Sequence, residues 1–184
     1  MTWISPNFQD VDFPSGMSID HKIEVFADRV KGWQLDIAQQ CIDNIRHSGF
    51  AVLHIVASYF EMIAKFRDGF AKDGKSKEYF KKGIYSVFPA LDQQPGVSDR
   101  LLNKLYEEVR CGLYHGGITG PNIMLTGEYD AAIVFSRDEK VVINPDKLVP
   151  ALQQHFQSYI RELRDSRNQS LRGNFEARFS YQLK

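Results

Sequence analysis

The sequence predicts a mainly α-helical bundle of about five helices in up-and-down order, with a small β-hairpin insertion before the last helix. Three observations carry that expectation. Apolar residues recur at three- and four-residue intervals from Ile19 to Phe88 and again after Asn144, which is the helical period. The connections between these stretches are short enough to pair neighbouring helices antiparallel. Only Ile118 to Ile143 changes to short apolar runs broken by glycine and charge, the pattern of strands.

Residues 1–20 contain Pro6, Pro14 and Gly16 without sustained periodicity and read as an irregular arm. Its aromatics, Trp3, Phe8 and Phe13, imply that it packs onto its own subunit or onto a neighbour's. From Ile19, a helical series through Ile23, Phe26 and Val30 leads into Trp33, Leu35, Ile37, Ala38, Cys41, Ile42 and Ile45, with Gly32 offering a break. Phe50 to Phe66 is apolar nearly all the way round, as a helix buried between neighbours should be. His54, Ser58, Glu61 and Lys65 interrupt it at i, i+4, i+7 and i+11, drawing one polar stripe that faces either water or a polar cleft. Asp68 to Ser76 reads as a turn, and Lys77 to Phe88 as a helix closed by Pro89.

The region from Lys65 to Lys82 holds seven Lys or Arg against Asp68, Asp73 and Glu78, a surplus of four positive charges. A solvated helix face and a surface that tracks a phosphate backbone both explain such a run. After a loop at Asp92–Gly96, Ser98 is a plausible N-cap for a helix whose apolar face is Leu101, Leu102, Leu105, Val109 and Leu113, and Gly116–Gly117 stops it. Asn144–Pro145–Asp146 starts the last strong helix, carried by Leu148, Leu152, Phe156, Tyr159, Ile160 and Leu163. Residues 166–184 form a polar, arginine-bearing tail expected to be only partly ordered.

Composition bounds the function classes. With 184 residues, 43% of them hydrophobic and 12% aromatic, the chain can bury one substantial core, so a single domain over 1–184 is expected. Lys plus Arg and Asp plus Glu both total 23, and no global imbalance announces a nucleic-acid or membrane partner. Cys41 and Cys111 belong to no CxxC pair, which argues against a zinc ribbon or a disulfide scaffold and fits a reducing cytosol. No metal site and no cofactor motif stands out. The N-terminus lacks a basic segment followed by an apolar one, so a cytoplasmic protein without a membrane partner is expected.

The chemistry-bearing stretch is Glu107-Glu108-Val109-Arg110-Cys111-Gly112-Leu113-Tyr114-His115-Gly116-Gly117. A fixed cation and a proton shuttle near a helix end are what metal-free phosphodiester cleavage requires. On a regular α-helix a separation of five puts Arg110 and His115 about 140° apart. Convergence then calls for a widened turn near Gly112, a frayed end at Gly116, or completion across a dimer axis, and some mixture of the last two is expected. The plainer account gives Arg110 to a surface ion pair with Glu107 and His115 to the carbonyls of the helix end. Tyr114, one turn beyond Arg110, either stacks on a base or packs. Cys111 and His115, at i and i+4, are two metal donors without partners.

An Arg and a His separated by four residues, late in a small helical bundle, resemble the HEPN superfamily of RNA-processing and defence proteins. By pattern the resemblance covers roughly residues 30–165; by identity it covers the motif alone. Many active members carry a polar residue after the arginine, where this chain has Cys111. The resemblance implies a metal-independent endoribonuclease whose site forms where two motif helices meet in a homodimer, and a toxin or defence component with a protein antitoxin or regulator as its setting. It makes Arg110 and His115 the catalytic residues. Apart from the resemblance, Tyr114 and Lys104 are candidates for contacting RNA or a nucleotide, and so are Glu61 and His54 if their stripe faces the motif helix. A catalytically silent module for dimerisation and for nucleotide or protein binding is the alternative. A thiol or metal enzyme built on Cys111 ranks last.

Overall fold

Helices form where the apolar period places them in the computed structural model, which describes residues 2–93, 95–136 and 138–182. In chain order the elements are β1 (Trp3–Ser5), β2 (Phe8–Gln9), α1 (Ile19–Val30), α2 (Asp36–Asn44), α3 (Gly49–Asp68), α4 (Ser76–Val87) and α5 (Pro95–Lys104), then the motif helix Leu105–Gly116. They continue with β3 (Ile123–Leu125), β4 (Ile133–Phe135), β5 (Val141–Ile143), α6 (Pro145–Arg164) and α7 (Gln169–Gln182).

Everything is built on α3. Val52, Val56, Tyr59, Ile63 and Phe66 are wholly enclosed, and α3 packs on α2, α4, α6 and α7. By length and composition α3 could cross a membrane, but those five side chains are committed to that packing. It stops at Gly69, whose φ of 66° is the left-handed conformation a helix C-terminus favours. Beyond the turn, α4 crosses α3 so closely that a β-carbon on Gly83 would stand 1.9 Å from the Phe60 carbonyl oxygen. Phe26 of α1 lies at the centre of the core, 4.3 Å from Phe66, 5.7 Å from Phe156 and 5.4 Å from Phe175, ring centre to ring centre. Each such buried ring contributes roughly 1.5–3 kcal/mol.

Several expectations need correction. The N-terminal arm is not irregular: β1 and β2 pair as a short antiparallel hairpin folded onto its own subunit. Asp28 of α1 accepts hydrogen bonds from the Ser5 hydroxyl at 2.6 Å, the Asn7 amide at 2.8 Å and the Asn7 side chain at 2.7 Å. Gly32 does not break the helix. Lys31–Leu35 widens into a π turn between α1 and α2, and Pro6 presses on Gly32, where a β-carbon would meet its ring at 2.5 Å. Ser98 is no N-cap, because α5 begins at Pro95, and the loop expected over Asp92–Gly96 is largely helical on either side of Gln94, which lies outside the described residues.

The β excursion is more than a hairpin. β4 and β5 pair antiparallel around the charged turn, of which Arg137 lies outside the described residues, and β3 joins the other edge of β5 in parallel. Val141, Val142 and Ile143 are all buried, as the central strand of a covered sheet must be. Asn144 then caps α6 by accepting from the Asp146 amide at 3.0 Å while donating to the Tyr129 carbonyl at 2.6 Å.

The largest correction is the tail. It folds as α7, with Phe175 and Phe179 in the core and Phe175 stacked 5.5 Å from Phe66. Arg172 is buried with them and donates to the Leu163 carbonyl and to Asp20, both at 2.7 Å. The sheet therefore precedes the penultimate helix rather than the last. Leu171, Phe175 and Phe179 recur every fourth residue, a narrow apolar stripe that the surrounding polar residues mask.

Candidate functional site

The motif helix is not a regular α-helix. From Leu105 to Gly116 its geometry is that of a π-helix, with backbone bonds that close on the fifth residue instead of the fourth. Residues five apart thus return to nearly the same side, so Arg110 and His115 share a face that α-helical geometry would deny them. Widening was one of three routes to convergence and not the preferred one, and it extends through the whole motif instead of the neighbourhood of Gly112. Tyr106 and Cys111 are a second pair at this spacing. Partial burial, followed by the hydrogen bond and charge of Cys111, pushes the Tyr106 hydroxyl pKa above its ordinary value.

Two glycines let the following loop lie against this helix. A β-carbon on Gly112 would come within 2.7 Å of the Ile118 carbonyl, and one on Gly120 within 2.4 Å of the Glu108 carboxylate. Glu108 fastens the loop by accepting from the Asn122 backbone and side-chain amides, both at 2.9 Å. The helix ends at Gly117, with φ of 68°, whose amide donates to the Leu113 carbonyl at 3.1 Å.

Arg110 is anchored from α3. Its Nη2 lies 3.4 Å from Glu61 Oε2, and its guanidinium carbon lies 5.8 Å from the Tyr106 ring centre and 5.2 Å from that of Tyr114. The cation is thus held between two π faces with one carboxylate behind it. Glu61 also accepts from Lys65 Nζ at 2.7 Å and from the Ser76 hydroxyl at 2.9 Å. Burial alone would raise the Glu61 pKa, but those hydrogen bonds and the charges of Lys65 and Arg110 together hold it below the usual carboxylate value. Glu61 remains an anion, and the Arg110 side chain keeps 25% of its surface open.

His115 stands in solvent beside this group. Its ring meets Tyr114 edge-on at 5.0 Å, so one tyrosine touches both the guanidinium and the imidazole. Tyr114 is itself 77% exposed, which leaves a face open to a flat partner. Among the described residues no hydrogen bond or ion pair engages His115. The plainer account of the arginine therefore changes partners: Glu107 pairs with Lys77 at 2.9 Å, and Arg110 pairs with Glu61.

Of the sequence-derived candidates, the structure gathers Arg110, His115, Tyr114 and Glu61 into one cluster and leaves Lys104 and His54 outside it. The Lys104 ammonium donates to the Glu139 carbonyl at the turn after β4 and lies 3.6 Å from the Glu139 carboxylate. His54 is exposed, seven residues before Glu61 and so about 10 Å away along α3. The polar stripe on α3 divides accordingly. Ser58 bonds Gln34 at 2.9 Å near the exposed end, while Glu61 and Lys65 face the motif helix and α4.

The basic run is largely neutralised. Lys65 pairs with Glu61, Arg67 with Glu162, Lys75 with Glu78, Lys77 with Glu107, Lys81 with Asp99, and Lys82 with Asp68. That pattern favours the solvated-face reading over a track for phosphates. Sequence reasoning missed Tyr106 and Ser76 as members of the cluster. Tyr106, one turn before Arg110, was within reach of an i, i+4 argument, whereas Ser76 comes from another helix.

Among the described residues, no three His, Cys, Asp or Glu side chains gather as metal ligands do. The cluster offers a fixed guanidinium for an anionic oxygen, an open imidazole for a proton and an exposed aromatic face for a base. No family model matches this chain, and neither curated proteins nor solved structures give a significant match.

Proposed function

We propose that this protein is a metal-independent endoribonuclease of HEPN type. One observation supports the reading above all: an arginine, a histidine and an exposed tyrosine share one open face of a helix whose widened turn brings residues five apart together. The His115 imidazole takes the proton of a ribose 2′-hydroxyl, and the alkoxide attacks the adjacent phosphorus. The bond to the 5′ oxygen breaks, that oxygen receives a proton from an imidazolium, and a 2′,3′-cyclic phosphate remains. Arg110 binds the non-bridging oxygens, whose charge grows in the phosphorane, and Glu61 and the two tyrosines fix its orientation. A single His115 serves one of the two proton transfers at a time, so a homodimer with facing motif helices supplies both. The setting this reading fits is a toxin or defence protein controlled by an antitoxin or regulator.

The contact between Arg110 and Glu61 also favours a second reading, a silent module that dimerises and binds a nucleotide or a protein. A guanidinium already facing a carboxylate is a poorer phosphate ligand than a free one. Mixed-sequence RNA incubated with the protein in excess EDTA separates the two. Cyclic-phosphate ends that vanish in Arg110→Ala and His115→Ala, with DNA untouched, support the ribonuclease. Intact RNA across a broad substrate set leaves the binding module. Sedimentation at micromolar concentration tests the dimer, and a monomer removes the composite site.

A further inference from the structure

A second concave site lies away from the Arg110 cluster, where the N-terminal hairpin, α1 and α6 meet. It is a cleft of about 550 Å³ whose lining includes Phe8, Ala27, Phe156 and Ile160. Sites for small organic ligands have such volumes, roughly 300–1,000 Å³, and here charged and amide side chains surround the apolar ones. The hairpin creates the site, since Phe8 reaches it only because Asp28 holds Ser5 and Asn7 and because Arg29 Nε donates to the Ile4 carbonyl at 2.9 Å.

The charges around the cleft decide what it takes. Arg164 grips both Glu24 oxygens, at 3.0 and 2.9 Å, so that pair is closed. Asp28 is filled by its three donors. Burial raises its pKa and those hydrogen bonds outweigh that, keeping the carboxyl below its usual value and ionised. Lys31 is bonded to Asp36 at 2.6 Å. Arg161 remains, exposed at the edge of the cleft, with no carboxylate and no hydrogen-bond acceptor for its guanidinium among the described residues. The Asp28 charge is taken up by the hairpin's donors, so an apolar floor beside a guanidinium with free donors is complementary to an amphipathic organic anion.

We propose that this cleft binds a free small-molecule anion with an aromatic or aliphatic body, the body lying on Phe8, Phe156 and Ile160 and a carboxylate or sulfonate meeting Arg161. Phosphodiester chemistry requires none of these residues, so the site stands or falls apart from the proposed ribonuclease. The test is a fluorescence titration of the full chain with 8-anilinonaphthalene-1-sulfonate, with decanoate as a charged competitor and decanol as an uncharged one. One saturable site displaced by decanoate and not by decanol is the expected result. Loss of one charge-assisted contact in Arg161→Ala is expected to weaken binding about tenfold or more, with Arg161→Lys weakened less. Gln157→Glu, which places a negative charge in the lining, is expected to weaken it too, whereas Arg46→Ala, in a separate cleft, leaves it unchanged. Equal affinity for wild type and Arg161→Ala, equal competition by decanol, or loss of binding in Arg46→Ala would each overturn the proposal.

Discussion

Two clusters hang from α3, and each is made of one arginine, one glutamate, two tyrosines and one histidine. Toward α6, Arg67 makes two bonds to Glu162, at 3.2 and 3.0 Å, and lies 4.9 Å above the Tyr159 ring, while Tyr59 and His155 Nδ1 share a 2.8 Å hydrogen bond. Toward the motif helix, Glu61 holds Arg110 between Tyr106 and Tyr114, with His115 beside them. The difference is burial of the rings, not of the ion pairs, since Arg67 and Glu162 are more open than Arg110 and Glu61. Tyr59 and Tyr159 are fully enclosed, and burial pushes both hydroxyls far above the ordinary tyrosine pKa and brings His155 down to about 4. The enclosed tyrosines brace α3 against α6, whereas Tyr114 and His115 leave their rings open to solvent.

The largest expected effect contrasts the two histidines. His115→Ala should lower RNA cleavage by about 10²–10⁴-fold with an unchanged melting temperature, and His155→Gln should leave cleavage per folded molecule intact. Equal losses in the two variants would erase the distinction between the clusters. Next comes Gly83→Ala. Its β-carbon would drive into the Phe60 carbonyl, so a stability loss of about 3 kcal/mol or more is expected from urea unfolding. Because Ser76 on α4 supports Glu61, the same change should disturb the open cluster while leaving Arg67 and Glu162 paired.

A smaller effect is expected at Arg67→Met, about 1–2 kcal/mol in the same assay, since Glu162 is partly exposed and recovers some solvation. Retained stability would mean that the cluster toward α6 braces nothing. The smallest effect is a pH slope. Folded His155 stays neutral to about 4 while the unfolded ring protonates near 6.5, so stability present above pH 6.5 falls as pH drops toward 4 and then levels. The slope should reach about 1 kcal/mol per pH unit, less than the full linkage value because the ring is partly open to water. Subtracting the curve of His155→Gln isolates it.

Much of this was legible before any coordinates. The all-round apolar character of Phe50 to Phe66 marked α3, Gly117 marked the end of the motif helix, and Asn144–Pro145 marked the start of α6. The arm and the tail were not legible. β1 and β2 are too short to show alternation, and α7 buries only one narrow stripe with an arginine in it. Half of the cluster was legible as well: the spacing of Arg110 and His115 is linear information. Ser76 was not, since no local pattern records which helix faces which. Lys104 and His54 had suitable chemistry and the wrong surroundings.

By itself the sequence determined the helical period, the burial of α3, the helix ends and the placing of Arg110 five residues before His115. Those properties are local, set by residue type at short range along the chain. Tertiary structure decided that the motif helix widens along its whole length, that Glu61 and not Glu107 holds Arg110, and that one histidine is half-buried and the other exposed. Such outcomes depend on which surfaces meet and exclude water, and the energy of a meeting belongs to both partners at once.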